Sequence, residues 1–230
     1  GQGYELTVRK STGLIRPSRK LQARNVILAG GVMGTVKLML KCRTQGSLPK
    51  ISDKLGDMVR TNSEAIIGVK LPQTPKADFC KGIAVSAGFH PDEKTRIETV
   101  RYGRGQSAMA LLTTFLPNRK TALPGFVRWV ISVVQSPIQF ITNLFPLDWA
   151  GKTIILLVMQ PVSNYLRLNY SRRWWRLGGY SMNSNSSTGR AIPSHIPIGE
   201  QTAEVITKRT GGTALTTYMD SILGIPTTAH

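Results

Sequence analysis

Short stretches of alternating apolar and polar residues recur along the chain, which is the pattern of β-strands. Residues 4–8 and 26–29 are predicted strands, separated by a turn-rich stretch. The second of these ends in two glycines, and apolar residues then recur at helical spacing over residues 34–42. The segment from residue 26 to residue 42 is therefore predicted to be a strand, a glycine turn and a helix.

Three further alternating stretches predict an antiparallel sheet with turns between its strands: GIAVSAGFH, RIETVRY and AMALLTTFL. TIILLVMQ has the composition of a buried strand, and YLRLNYSRRWWRLGG that of a strand turning at the surface. The polar stretch SMNSNSSTGRAIPS is a predicted loop, and EQTAEVITKRTGG a helix that stops at its two glycines.

Residues 126–149 form an apolar and aromatic segment with helical runs broken by Pro137 and Pro146. Residues 129–147 carry no formal charge, but polar side chains and Pro137 interrupt them, so we predict no membrane span. A pair of lid or interfacial helices fits this pattern, and so does a buried core helix.

Composition describes a globular chain with a strong positive charge. Its 230 residues are 41% hydrophobic and 18% charged, enough for one large or two small domains. The net charge of +18 is compatible with binding to nucleic acid or to an anionic membrane, and also with a basic surface that is simply solvated. Because no helix-turn-helix, RNP or zinc-finger signature accompanies the charge, we expect no nucleic-acid partner.

Cysteine and histidine spacing predicts neither a disulfide framework nor a metal site. Cys42 and Cys80 are expected to be reduced, structural thiols, and His90, His195 and His230 lie in no metal-binding spacing. The chain starts with Gly and shows no signal-peptide pattern, so we expect an internal part of a longer protein.

The glycines after residue 29 can serve a ligand or simple packing. A glycine turn lets backbone amides approach a ligand, and the following helix N-terminus favours an anion such as a pyrophosphate. Gly30, Gly31 and Gly34 do not have the spacing of the GxGxxG motif. Nucleotide binding and tight packing therefore both remain open from these residues alone.

Residues 26–64, VILAGGVMGTVKLMLKCRTQGSLPKISDKLGDMVRTNSE, resemble the FAD-binding segment of GMC (glucose-methanol-choline) oxidoreductases of the cholesterol-oxidase group. The shared order is an Ala-Gly strand end, a Gly-Thr pair opening a leucine-rich helix, and then Leu-Gly and Thr-Asn pairs. ILGIPTTAH is similar to the segment in which that family places an active-site histidine. GIAVSAGFHPDE, RIETVRYG, TIILLVMQ and HIPIGEQTAE also resemble bacterial members, so the likeness covers nearly the whole chain.

The resemblance implies an α/β (α+β) fold in three parts. Residues 1–70 would belong to a Rossmann-like FAD-binding domain, and residues 71–215 to a substrate domain whose antiparallel sheet is covered by helices, including the apolar ones in 126–149. Residues 216–230 would return toward the FAD domain. The implied activity is hydride transfer from a bulky hydrophobic alcohol, such as a sterol, to FAD. Contact with a membrane surface and a cytoplasmic or peripheral-membrane location are expected with it.

The resemblance also assigns site residues. It places FAD-binding positions at the glycine turn and at the Thr-Asn pair: Ala29, Gly30, Gly31, Gly34, Thr35 and Asn62. It places Glu98 and His230 at catalytic positions, the first to accept or relay a proton and the second to hold the substrate oxygen. Glu98 has the alternative of a surface strand residue paired with Arg96 or Arg101, and His230 that of a frayed terminal residue.

Two family segments have no counterpart in this sequence, the GxGxxG unit that holds the ADP half of FAD and the LGGC motif. We therefore expect the isolated chain to be inactive and the activity to belong to the intact parent. The alternative function is that of a non-catalytic, basic lipid- or membrane-binding protein that keeps the substrate half of the fold.

Overall fold

The computed structural model describes residues 3–72, 78–174, 178–186 and 195–225. The chain folds into two compact units, one made of residues 1–56 and 168–184 and the other of 57–167 and 185–230. The predicted limits at 70 and 215 both lie inside the second unit, so the compact units do not follow the predicted segments. The functional assignment of those segments stays a prediction.

The first unit contains a hairpin and a helix. Strand β1 (Tyr4–Arg9) pairs antiparallel with β2 (Ser18–Ala23), which confirms the strand predicted for residues 4–8. Helix α1 (Gly31–Thr44) confirms the helix predicted after the glycine turn. Its buried side chain is Leu40, and basic Lys41 and Arg43 lie in its last turn, where they complement the helix dipole.

Eight further strands follow in chain order: β3 (Ala65–Lys70), β4 (Val85–Asp92), β5 (Thr95–Val100), β6 (Thr113–Phe115), β7 (Thr153–Met159), β8 (Leu166–Arg172), β9 (Tyr180–Ser186) and β10 (Thr213–Thr217). Six of them form one sheet in the order β4-β5-β7-β3-β10-β6, in which every neighbouring pair is antiparallel. β8 and β9 form a two-stranded sheet. The predicted antiparallel sheet and the mixed α/β fold class are confirmed.

Around its central strand β7, the six-stranded sheet is covered on both faces. In β7, Leu156 and Val158 face one hydrophobic cluster, which includes Ala203 of helix α5 (Pro197–Thr210). Ile155 faces a second cluster with Trp149. Alternate residues of a strand point to opposite faces of the sheet. A strand that is buried on both faces must therefore be apolar at nearly every position, as β7 is.

The apolar segment 126–149 is helical, as predicted. Helices α2 (Gly125–Gln135) and α3 (Pro137–Leu144) meet at Pro137, which occupies the first helical position, and the short α4 (Trp149–Lys152) follows Pro146. No residue of α2 is buried, so the alternative of a buried core helix is wrong for α2. The last helix of the described chain is α6 (Tyr218–Leu223).

Three local predictions are wrong. Residues 26–29 form no strand, because a strand needs a neighbour to pair its backbone and none pairs there among the described residues. Most of AMALLTTFL is a 3-10 helix (Arg104–Leu112), and only Thr113–Phe115 is strand. The predicted polar loop begins as strand β9, and residues 187–194 lie outside the described residues.

Candidate functional site

The glycine turn before α1 brings five predicted FAD-binding residues into one short segment. Gly30 caps the helix, and Gly31 has φ +65°, a left-handed conformation that glycine adopts without strain. A Cβ atom at Gly31 or Gly34 would meet nothing within 4 Å, so the backbone there is open to approach. The first turn contains no acidic residue. Thr35 and Ala29 flank this open turn on either side.

Asn62, the sixth predicted FAD-binding residue, lies in the second unit just before β3. Its Nδ2 donates a hydrogen bond of 2.6 Å to Oε2 of Glu64, whose residue is only 3% exposed. The neighbouring Ser63 has φ +46°, an uncommon conformation for a side-chain-bearing residue. This combination fixes the turn that carries Asn62.

Asn62 lines a cleft of about 490 Å³ within the second unit. The cleft lies at the end of the sheet where β3 begins, β5 begins and β7 ends, as the pairing of Arg96 with Met159 and of Ala65 with Val158 requires. Thr95 and Gln160 are among its lining residues, and Gln160 Nε2 donates to Thr95 Oγ1 at 2.9 Å. A cleft of this size is typical of small-molecule sites.

Glu98 lies on β5, opposite Gly88 of β4 and Leu157 of β7. Its Oε1 is 2.7 Å from Nε of Arg96, and the carboxylate side chain is 22% exposed. Arg101, the other partner considered for Glu98, instead donates to the Lys81 carbonyl and to Ser86 Oγ. The catalytic role of Glu98 stays a prediction, with Arg96 as its ion-pair partner.

The structure links only some of the predicted site residues. Arg96 lines the same cleft as Asn62, so Glu98 is one ion pair away from that cleft. The glycine turn belongs to the first unit. His230 lies outside the described residues.

A buried ionic cluster in the second unit has no counterpart among the predicted site residues. Arg119 binds Glu200 at 2.8 Å and Asp220 at 2.7 Å, across 81 and 101 positions of the sequence. Burial raises the pKa of Glu200 despite the opposing charge of Arg119. Burial, and then the Arg119 charge, lowers the pKa of His195. No local spacing signals such a long-range cluster.

Neither a membrane-spanning helix nor a metal-binding cluster occurs among the described residues. Within them, no helix is both long and apolar enough to cross a membrane. Across the same residues, no group of three or more His, Cys, Asp or Glu side chains could hold a metal ion. Cys42 and Cys80 are both free thiols, as predicted.

Known proteins resemble the chain over nearly all of its length. A cholesterol oxidase of Acinetobacter baumannii is 34% identical over 233 aligned positions, which are 99% of this chain and 40% of that protein. Cholesterol oxidases of two Mycobacterium tuberculosis strains, CDC 1551 / Oshkosh and ATCC 25618 / H37Rv, are each 36% identical over 229 positions, 97% of this chain and 39% of theirs. No family model matches the chain.

The mixed α/β fold and these similarities support a GMC-like, cholesterol-oxidase-like chain. It is similar to cholesterol oxidases over nearly all of its own length, and it spans about 40% of the length of the curated relatives that it matches. The comparisons give no support to the alternative of a non-catalytic lipid-binding protein.

Proposed function

We propose that the full-length protein is an FAD-dependent oxidoreductase that acts on the CH–OH group of a bulky hydrophobic alcohol such as a sterol. The observation that carries this proposal is the 34–36% identity to cholesterol oxidases over 97–99% of the chain. Similarity of that extent includes both the glycine turn and the sheet that carries Glu98.

The glycine turn fits one part of the cofactor. Its open backbone at Gly31 and Gly34 and the absence of acid in the first turn of α1 suit a phosphate group, which amide donors and the helix dipole attract. Ala29, Gly30 and Thr35 would complete the backbone around it. FAD, when bound, supplies the acceptor for the hydride.

Two protein groups would handle the alcohol itself. Glu98 would accept or relay the hydroxyl proton, and Arg96, 2.7 Å away, holds its carboxylate in one orientation. His230 would hold the substrate oxygen so that the C–H bond points toward the cofactor. Asn62, anchored on buried Glu64, would lie near the flavin ring.

We also propose that the α2–α3 surface contacts membranes and admits the substrate from them, which makes the protein peripheral to a membrane. This surface consists of exposed apolar residues on and after the two helices: Phe126, Val130, Val134, Ile138, Ile141 and Phe145. Trp129 fixes its inner side, since its Nε1 donates to Thr114 Oγ1 at 2.8 Å and its ring lies 6.0 Å from that of Phe140. Exposed apolar patches of this kind mark membrane or partner contacts.

The activity is tested on the purified full-length protein in two steps. First, visible absorbance shows whether FAD is bound. Second, cholesterol is added anaerobically and flavin bleaching is recorded. Bound flavin that cholesterol reduces is the expected result. A protein that folds but contains no flavin, even after reconstitution with FAD, would refute the proposal.

A further inference from the structure

The cleft beside Asn62 has a basic rim built from three separate segments. Arg60 comes from the loop before β3, Lys94 from the turn between β4 and β5, and Arg96 from β5 itself. Glu93 is the acidic residue of the lining. Since Arg96 is paired with Glu98, the charges of Arg60 and Lys94 are the ones that outnumber Glu93, and they attract anions to the cleft.

Two of the three cations are oriented by a neighbouring side chain. The Arg60 guanidinium lies over the Tyr165 ring, 5.6 Å from its centroid, an arrangement that stabilises the cation. Arg96 is oriented by its ion pair with Glu98. The backbone N–H of Lys94 donates to Asp92 Oδ1 at 2.9 Å, which fixes the turn. A rim positioned in advance loses less conformational entropy when it binds a ligand.

The Arg60 and Lys94 side chains have charge to offer a ligand. Among the ion pairs of the described residues, neither of the two takes part. Arg60 presents its planar set of N–H donors, which matches carboxylate and phosphate oxygens.

The remainder of the lining combines hydrogen-bonding groups with apolar side chains. Thr95 is fully buried and accepts from Gln160 at 2.9 Å, while Nδ1 of His90 lies 3.1 Å from the Thr95 carbonyl oxygen. Met159, Pro161 and Val162 supply apolar surface. Small-molecule sites typically combine such apolar lining with a few convergent polar groups.

We propose that this cleft binds an amphipathic organic anion, in which a carboxylate or phosphate meets the basic rim and an apolar body lies against Met159, Pro161 and Val162. The site stands on the geometry of the second unit and does not require the proposed oxidoreductase activity. Its volume of about 490 Å³ suits a discrete small molecule.

The test measures binding of three probes to the full-length protein by isothermal titration calorimetry at low ionic strength. Octanoate carries both an anionic group and an apolar body, 1-octanol only the apolar body, and inorganic phosphate only the anion. Octanoate is expected to bind about tenfold more tightly than either other probe. Octanoate and 1-octanol have apolar chains of nearly the same length, so the difference between their affinities reports the contribution of the anionic group.

Charge reversal locates the binding. Arg60→Glu with Lys94→Glu is expected to raise the octanoate Kd at least about tenfold, because two attractions become repulsions. The matched control reverses two exposed cations at the end of α5, Lys208→Glu with Arg209→Glu, and should leave the Kd unchanged. Circular dichroism confirms that both double variants are folded.

Three results would overturn the proposal. Equal affinities for octanoate and octanol would show that the basic rim does not contribute to binding. An equal loss in the control variant would mean that only net charge matters. Release of bound FAD in step with octanoate binding would assign the cleft to the cofactor instead. Because none of these readings uses turnover, they are distinguishable from a failure of the proposed enzymatic activity.

Discussion

Arg119 donates through Nη2 to Oδ1 of Asp220 at 2.7 Å, and both side chains are only 10% exposed. Its Nε donates to Glu200 at 2.8 Å, so one guanidinium faces two largely buried carboxylates. Thr216 Oγ1 lies 2.9 Å from the other oxygen of Asp220. The cluster joins the loop after β6 to α5 and α6, three segments that no other ion pair among the described residues connects.

Arg119→Met is expected to lower the free energy of unfolding by about 3–5 kcal/mol, because it leaves two carboxylates without a compensating charge. Urea denaturation followed by tryptophan fluorescence measures the change. Arg209→Met, at an exposed position in the last turn of α5, is the control and should cost far less. Similar losses in the two variants would show that the Arg119 cluster contributes little.

Glu200 predicts a pH dependence of stability. Burial raises its pKa above the ordinary value of 4.5, so above pH 4.5 the folded protein binds more protons at this site than the unfolded chain. The stabilisation linked to Glu200 is thus complete below pH 4.5 and is lost as pH rises through the raised pKa. Glu200→Gln removes this contribution.

As pH rises from 4.5 to 7, the parent should therefore lose unfolding free energy relative to Glu200→Gln. Denaturation at several pH values measures it. Gln201→Ala, at an exposed uncharged position on the same helix, is the control and should keep the pH profile of the parent. Parallel pH profiles for Glu200→Gln and the parent would contradict the assignment.

The sequence predicted elements whose determinants are local and missed those that depend on distant partners. β7 was predictable because its apolar run can only be buried, and α5 because Gly211 ends it with φ +66°. Residues 26–29 have the composition of a strand, yet no strand pairs there among the described residues and Ile27 is 92% exposed, so both the pairing partner and the packing layer that a buried strand needs are lacking. Strand β9 was missed because its polar residues carry no alternation.

The candidate site divides in the same way. The glycine turn was visible because glycine itself sets the backbone conformation at Gly31. Pairing of Glu98 with Arg96 could be proposed because the residues are two apart on one strand and so share a face. The cleft beside Asn62 was not predictable, because it forms only where the ends of β3, β5 and β7 come together in the sheet.

The α2–α3 surface predicts retention by anionic liposomes at low salt. Val134 and Ile138, each 72% exposed, are suitable probes because replacing them disturbs little packing. Val134→Asp with Ile138→Asp is expected to reduce the fraction of full-length protein that cosediments with phosphatidylserine vesicles severalfold. Val205→Asp, at a 51% exposed site on α5, is the control and should sediment like the parent. Undiminished retention of the double variant would exclude this surface as the contact.

The proposed roles of Glu98 and His230 predict that variants at these positions bind FAD but reduce it slowly. Removal of a positioned acid or base costs about a hundredfold to ten-thousandfold in rate, so Glu98→Gln and His230→Ala in the full-length protein should retain FAD yet reduce it that much more slowly. Anaerobic single-turnover flavin reduction by cholesterol isolates this step from reoxidation. The amide of Glu98→Gln can still accept a hydrogen bond from Arg96 but cannot take a proton at neutral pH, so the change tests proton transfer rather than packing.

Glu93→Gln is the matched control for Glu98→Gln, since Glu93 is an exposed carboxylate in the turn that leads into β5. It removes the same charge from the same hairpin and should reduce its flavin at the parent rate. If Glu98→Gln also matched the parent, Glu98 would be a surface strand residue whose role is its 2.7 Å ion pair with Arg96. If both variants were equally slow, the loss would follow from the charge of the hairpin and not from a proton acceptor at position 98.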